Sequence, residues 1–239
     1  MTQDVTLPRK QATALKQLIQ HVEQRILRLC DLCVLLAEAA TRDLHEGELT
    51  TGSVESSELF GIVAALSEQP ELPVLGMGFA RALGQNGAEQ ELHYWYCRGP
   101  GGPPEKLLVG ARAGHVADYE ISRSHWWQLA AESTETCIVG PYVDVSGTNE
   151  YVVTFSRAVR TEGQLAGVVA VDVRVGSFQS SCQPLLLRLP RPASIVTPDG
   201  DVIATNSGQL LGGTLGDPEA DFSPHRQDIA GTAWRLVVG

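Results

Sequence analysis

The chain has 239 residues, 43% of them hydrophobic, and a formal net charge of −10. That length is enough for one large or two small packed domains, and an acidic balance with no basic stripe to offset it argues against nucleic acid as the partner. No stretch reaches ~18 uncharged apolar residues and no apolar leader core follows Lys10 and Lys16, so no membrane association is expected and the chain reads as a free-standing cytoplasmic protein.

Residues 1–43 are expected to form one long N-terminal helix. Pro8 suits a first-turn position and Thr6 a cap. Leu15, Leu18, Val22, Ile26, Leu29, Cys33, Leu36 and Ala40 recur at three- and four-residue steps, and Leu27, Leu32 and Leu35 widen the stripe. A stripe this wide can cover its own domain on one side and a second copy of the helix on the other. The five cysteines, Cys30, Cys33, Cys97, Cys137 and Cys182, are odd in number and dispersed, which does not suggest a disulfide framework. Cys30 and Cys33 have redox or metal spacing, but they sit in an apolar helical run where core packing is the better reading.

Residues 44–180 read as the main module. Val54 to Leu66 is predicted helical, and Leu72 to Leu83, Glu91 to Arg98 and Lys106 to Gly110 are predicted strands, with Gly-, Asn- and Pro-bearing turns between them. Tyr94, Trp95 and Tyr96 are consecutive, so alternate rings face opposite sides of a strand. Ser124 to Ala131 is predicted as a short helix. Glu150 to Val159 and Leu165 to Arg174 read as central antiparallel strands joined by a hairpin turn at Thr161–Glu162–Gly163. Asp172 closes the second of these strands. A carboxylate there is costly unless it meets a cation, a hydrogen-bond donor or a helix end.

Residues 181–239 read as a smaller module. A helix from Ser177 ends at Pro190 and Pro192. Ala193 to Thr197, Asp201 to Thr205 and Trp234 to Val238 follow as strands, with a turn at Thr197–Pro198–Asp199–Gly200.

The chemistry concentrates in the runs DYEISRSHWWQLA, GPYVDVSG and GVVAVDV. They carry Tyr119, Trp126, Trp127, Tyr142, Asp144 and Asp172. Aromatic faces attract an ammonium and carboxylates accept its protons, so these residue types fit a box for a small cation. The alternative is a core tryptophan pair with two surface aspartates.

These segments resemble the amino-acid- and amine-binding branch of the double Cache family, PAS-like (PDC) sensor domains of bacterial receptors. The family pattern is Tyr, four residues, Arg, one residue, then Trp and Tyr, with Tyr-x-Asp downstream and an Asp closing an apolar strand. Tyr119, Trp126, Trp127, Tyr142 with Asp144, and Asp172 occupy those positions over a likeness that spans roughly residues 10 to 239. The resemblance implies an α+β fold, a long N-terminal helix followed by a PAS-like antiparallel-sheet module and a smaller, abbreviated second Cache-like module. It also implies a homodimer through the long helix. One position departs from the pattern. Where the family carries the Arg that grips a ligand carboxylate, this chain has Ser124, with Arg123 one place earlier. Either Arg123 takes over that task, or the ligand is an amine without an α-carboxylate, as in relatives that lack the Arg.

No phosphate-binding loop, nucleophile elbow or H-E-x-x-H is present, the six histidines are scattered, and no cofactor or metal is expected. The expected function is therefore not enzymatic. It is a small-molecule sensor for an amine or amino-acid-like cation, using Tyr119, Arg123 or Ser124, Trp126, Trp127, Tyr142, Asp144 and Asp172, and signalling to a separate regulator. A ligand-free interaction module is the alternative, and an Asp144/Asp172 hydrolase or lyase is a more distant one.

Overall fold

The computed structural model describes residues 9–47, 49, 57–67, 74–82, 93–98, 104–106, 121–145, 147–208 and 225–239. Thr6, Pro8, Tyr119, the end of the third predicted strand and the turns before it lie outside them. The chain has the expected α+β architecture, a long helix followed by antiparallel sheets, and divides into two compact units.

Helix α1 runs continuously over Arg9–Glu46. Its apolar stripe is buried as the spacing predicts, with Leu18, Val22, Ile26, Cys33 and Leu36 fully covered. Leu32 joins the buried side, whereas Leu27 and Leu35 are 56% and 44% exposed. The helix is not a segment of its own. Residues up to Arg28 belong with Val175–Gly239, and Leu29–Arg174 form the other unit.

In the larger unit, α2 covers Glu58–Ser67, and the first residues of the expected Val54–Leu66 helix lie outside the described ones. Its first turn is capped twice. Ser57 Oγ accepts the Phe60 amide at 3.1 Å, and the buried carboxylate of Asp43 accepts the Glu58 and Leu59 amides at 3.0 and 3.1 Å. Arg42 adds a bidentate pair with Glu58 at 2.6 and 2.8 Å. The six-stranded sheet comprises β1 (Val74–Arg81), β2 (His93–Arg98), β3 (Pro104–Lys106), β4 (Cys137–Val143), β5 (Tyr151–Thr161) and β6 (Gln164–Arg174), in the order β3-β2-β1-β6-β5-β4 and antiparallel throughout. Helix α3 (His125–Glu132) follows a 3₁₀ turn at Ile121–Arg123. The β5–β6 hairpin closes through Glu162 and Gly163, both at positive φ (52° and 79°), the mirror-image turn that matches strand twist.

Alternation along these strands makes two faces. One is apolar and carries Met77, Phe79, Phe155, Val169 and Val171, all buried. There the Phe60 ring of α2 lies 5.3 Å from Tyr96. The other face carries Gly76, Gly78 and Ala80 on β1, Ala170 and Asp172 on β6, and Thr154 and Ser156 on β5, as fixed by the pairings Gly76↔Asp172, Gly78↔Ala170, Thr154↔Asp172 and Ser156↔Ala170.

In the smaller unit, α4 (Val175–Leu186) packs with a four-stranded antiparallel sheet of β7 (Ala193–Val196), β8 (Val202–Thr205), β9 (His225–Asp228) and β10 (Arg235–Val238), ordered β8-β7-β10-β9. Phe178 and Trp234 meet edge to face at 5.6 Å. Gln179 acts as an extra strand edge for Thr205, donating to its carbonyl at 2.8 Å and accepting its amide at 2.7 Å. Asn206 accepts the Ala193 amide at 2.7 Å and donates to the Leu186 carbonyl at 3.0 Å, tying the end of α4 to the first strand.

Candidate ligand-binding site

Asp172 lies on β6 between Gly76 of β1 and Thr154 of β5, and is 3% exposed. Among the described residues it receives one hydrogen bond, from Thr154 Oγ1 to Oδ1 at 2.6 Å. Burial pushes its carboxyl up from the ordinary 3.8 to about 7; the Thr154 hydrogen bond opposes this rise and the negative charge of Asp144 adds to it.

The hydroxyl of Tyr142 lies 2.6 Å from the same Thr154 oxygen. When Asp172 is ionised it accepts the one proton of Thr154, and Tyr142 then donates to Thr154. Tyr142 reaches this face through a bulge. Val139 pairs with Thr154, but Tyr142 pairs with Val152, so Gly140 and Pro141 together oppose one residue. Regular pairing would turn Tyr142 to the opposite face. The bulge needs glycine: Gly140 sits at φ +117°, and a Cβ there would lie 2.8 Å from the Val152 carbonyl oxygen.

Trp126 and Trp127 are 8% and 6% exposed and belong to a core cluster with Trp95, Ile121, Ala130, Val139 and Ala170, against which Tyr142 packs. Trp126 lies 6.3 Å from Trp95 and 6.1 Å from Trp127. Helix α3 is fastened to the sheet by the buried Ser156 hydroxyl, which donates to the Trp126 carbonyl at 2.9 Å, and by Arg160, which donates to the Ala131 carbonyl at 2.5 Å. Ala170, one member of this cluster, precedes Asp172 by two residues, so these two share a face roughly 7 Å apart along the strand. On β1, Gly76 pairs with Asp172 and Gly78 pairs with Trp95, so two glycines lie on this face between the carboxylate and the aromatic ring.

The other expected residues are placed differently. Asp144 serves its own loop: its Oδ2 accepts the Thr148 amide at 2.7 Å and the Thr148 hydroxyl at 2.9 Å. It reaches Asp172 through charge. Arg123 is exposed. Ser124 is half-buried, and its hydroxyl donates to the Ile121 carbonyl at 2.7 Å. The structure thus brings together Asp172, Tyr142, Trp126 and Trp127, and adds Thr154, Trp95 and the two β1 glycines. Thr154 has a weak sequence signal, a hydroxyl inside the apolar run YVVTF. The glycines have another, their alternate placement within a predicted strand.

Among the described residues no three His, Cys, Asp or Glu side chains gather as a metal ion would require, and no helix is long and apolar enough to cross a membrane.

Residues 89–180 match the family described as the methyl-accepting chemotaxis protein-like first PDC sensor domain, a span that contains every described residue of the site except Gly76 and Gly78. The chain is 24% identical over 173 residues to the methyl-accepting chemotaxis protein PscA of Pseudomonas syringae pv. tomato, covering 69% of this chain and 26% of that protein. It spans about a quarter or less of the length of the curated relatives it matches. The ligand-binding domain of the Campylobacter jejuni chemoreceptor Tlp3, solved with L-valine, has the same fold, with a TM-score of 0.63 at 17% identity over 95% of this chain and 90% of that domain's. The Pseudomonas aeruginosa amino acid chemoreceptor PctC, solved with GABA, aligns with a TM-score of 0.56 at 16% identity over 93% of this chain and 95% of that domain.

Proposed function

We propose that this chain is the sensory part of a signalling system and takes a small amine or amino-acid-like cation at Asp172. One observation carries the reading: a carboxylate that is 3% exposed, with a single hydrogen bond among the described residues. A buried anion with so little compensation is stable only when neutral or when a cation joins it. The ammonium would be held by Asp172 and the Tyr142 oxygen, with the aromatic cluster beside it. The match to a PDC sensor domain supports a sensor rather than an enzyme, and the neighbouring folds solved with L-valine and GABA support the ligand class.

Arg123 is exposed and the Ser124 hydroxyl is committed to its own turn. Both facts favour an amine without an α-carboxylate. A thermal-shift panel separates the alternatives. At about 100 times its dissociation constant a ligand adds about 2.7 kcal/mol, which moves the melting temperature by about 5–10 °C. Simple amines should give the shift. Shifts confined to α-amino acids would mean that Arg123 grips the carboxylate, and a panel without shifts would sink the sensor reading.

The ligand-free interaction module keeps one supporting observation, the burial of Trp126 and Trp127 in the core. The sensor would pass its state to a partner protein through a homodimer of α1, whose exposed Leu27 and Leu35 lie eight residues apart on one helix. Sedimentation should return a dimer that Leu35→Glu dissociates; a wild-type monomer would contradict this.

A further inference from the structure

We infer that His21 is a pH-sensitive switch in the smaller unit: neutral, it helps hold α1 against α4, and protonated, it sets two cations against one another and weakens that packing. The inference stands apart from the amine reading, because every group it uses belongs to the unit that does not contain Asp172.

Three observations carry it. Arg25 donates its Nε–H to His21 Nε2 at 3.1 Å, one turn along α1. A protonated imidazole has a hydrogen on both nitrogens and accepts nothing, so this bond exists only while His21 is neutral with its proton on Nδ1. The ring also meets α4, where the Ser181 backbone hydrogen-bonds to it. One turn earlier on α1, Gln17 accepts from Arg188 at 3.4 Å, just beyond α4, so the two helices share a polar seam. His21 and Arg25 are both half-buried in that seam, and water makes good only part of a lost bond.

The charges around His21 are of one sign. On α1 they are Arg25 and Arg28; α4 presents the Ser181 backbone and the Cys182 thiol, which burial pushes up to about 11 and so keeps neutral. Among the described residues no carboxylate acts on the ring. Burial, then Arg25, hold the imidazole below its ordinary 6.5; the Ser181 hydrogen bond opposes them and Arg28 adds to them. As pH falls through 6.5 the unfolded chain takes up a proton that the folded unit refuses, so this unit loses stability from there down to the folded midpoint. Helix α1 continues from this unit into the larger one, so acid acts on an element that both units share.

The test follows the ring and the seam separately. In the nitrogen-15-labelled full chain, the imidazole titration should place the His21 midpoint at least about half a unit below 6.5, with Nε2 bare at pH 8. Arg25→Gln should raise that midpoint by about half a unit. His21→Gln keeps an acceptor and cannot titrate. Amide hydrogen exchange should show α4, and α1 from Gln17 to Arg28, about tenfold less protected in wild type than in His21→Gln at pH 5, and equally protected at pH 8. Comparing the two proteins at one pH cancels the titrations of Asp172 and of His225 on β9. A wild-type midpoint at or above 6.5, or one that Arg25→Gln leaves in place, overturns the proposal, as does equal protection of the two proteins at pH 5. The wild-type midpoint decides even where a variant does not fold.

Discussion

Asp172→Asn is expected to abolish amine binding and to flatten the pH dependence of stability between about pH 4 and pH 7. The unfolded carboxyl releases its proton near 3.8 and the folded one near 7. Between those values the folded protein holds more protons than the unfolded chain, so wild-type stability falls as pH rises through the window. The loss amounts to something on the order of 4 kcal/mol above pH 7, taking 1.36 kcal/mol per unit and the rise from 3.8 to about 7. Asparagine retains an acceptor for Thr154 and carries no charge. The variant should therefore match wild type near pH 4 and exceed it near pH 8, as urea unfolding at the two values would show. Loss of the charge should weaken amine binding at pH 8 by at least about a hundredfold. A variant that loses several kcal/mol at both pH values would show that the carboxylate is structural.

Trp126→Ala is expected to cost about 3–5 kcal/mol of stability, the usual range for emptying a large buried aromatic site. Trp126 is 8% exposed, touches Trp95 and Trp127, and passes its carbonyl to the buried Ser156 hydroxyl. The side chain is thus part of the core that supports the site, and its removal should loosen α3 from the sheet. Trp126→Phe keeps most of the packing and should cost clearly less. If chemical denaturation of Trp126→Ala gave a change within about 1 kcal/mol while binding vanished, the ring would be a ligand wall and little else.

The long helix, β5, β6 and the hairpin between them are readable from the chain because their signals are local. A three- and four-residue stripe marks α1, and apolar alternation bounded by Glu162 and Gly163 marks β5 and β6. Strand β4 has no such mark. Gly140 and Pro141 argue against a strand, and the reason they are tolerated, a bulge opposite Val153, exists only once β5 is in place. Strand β9, with the sequence HRQD, has no apolar pattern at all and is defined by its pairing with β10. The site divides along the same line. Asp172 stands out because a carboxylate ends an apolar run. Thr154 and Gly76 matter because register puts them on either side of that carboxylate, and register is a property of the folded sheet. Asp144 fits the motif by position and Ser124 stands where the motif has Arg, yet both spend hydrogen bonds on their own turns.

The central claim is that an ammonium joins Asp172 in its charged form. The most direct measurement is calorimetric titration of wild type at pH 6 with the panel amine that gives the largest thermal shift, repeated in two buffers of different ionisation enthalpy. With the Asp172 carboxyl near 7 when unliganded, about nine-tenths of the sites start protonated at pH 6, and binding should release about 0.9 proton. Binding that exchanges no protons with the buffer would contradict the claim, because the amine would then be held without ionising Asp172.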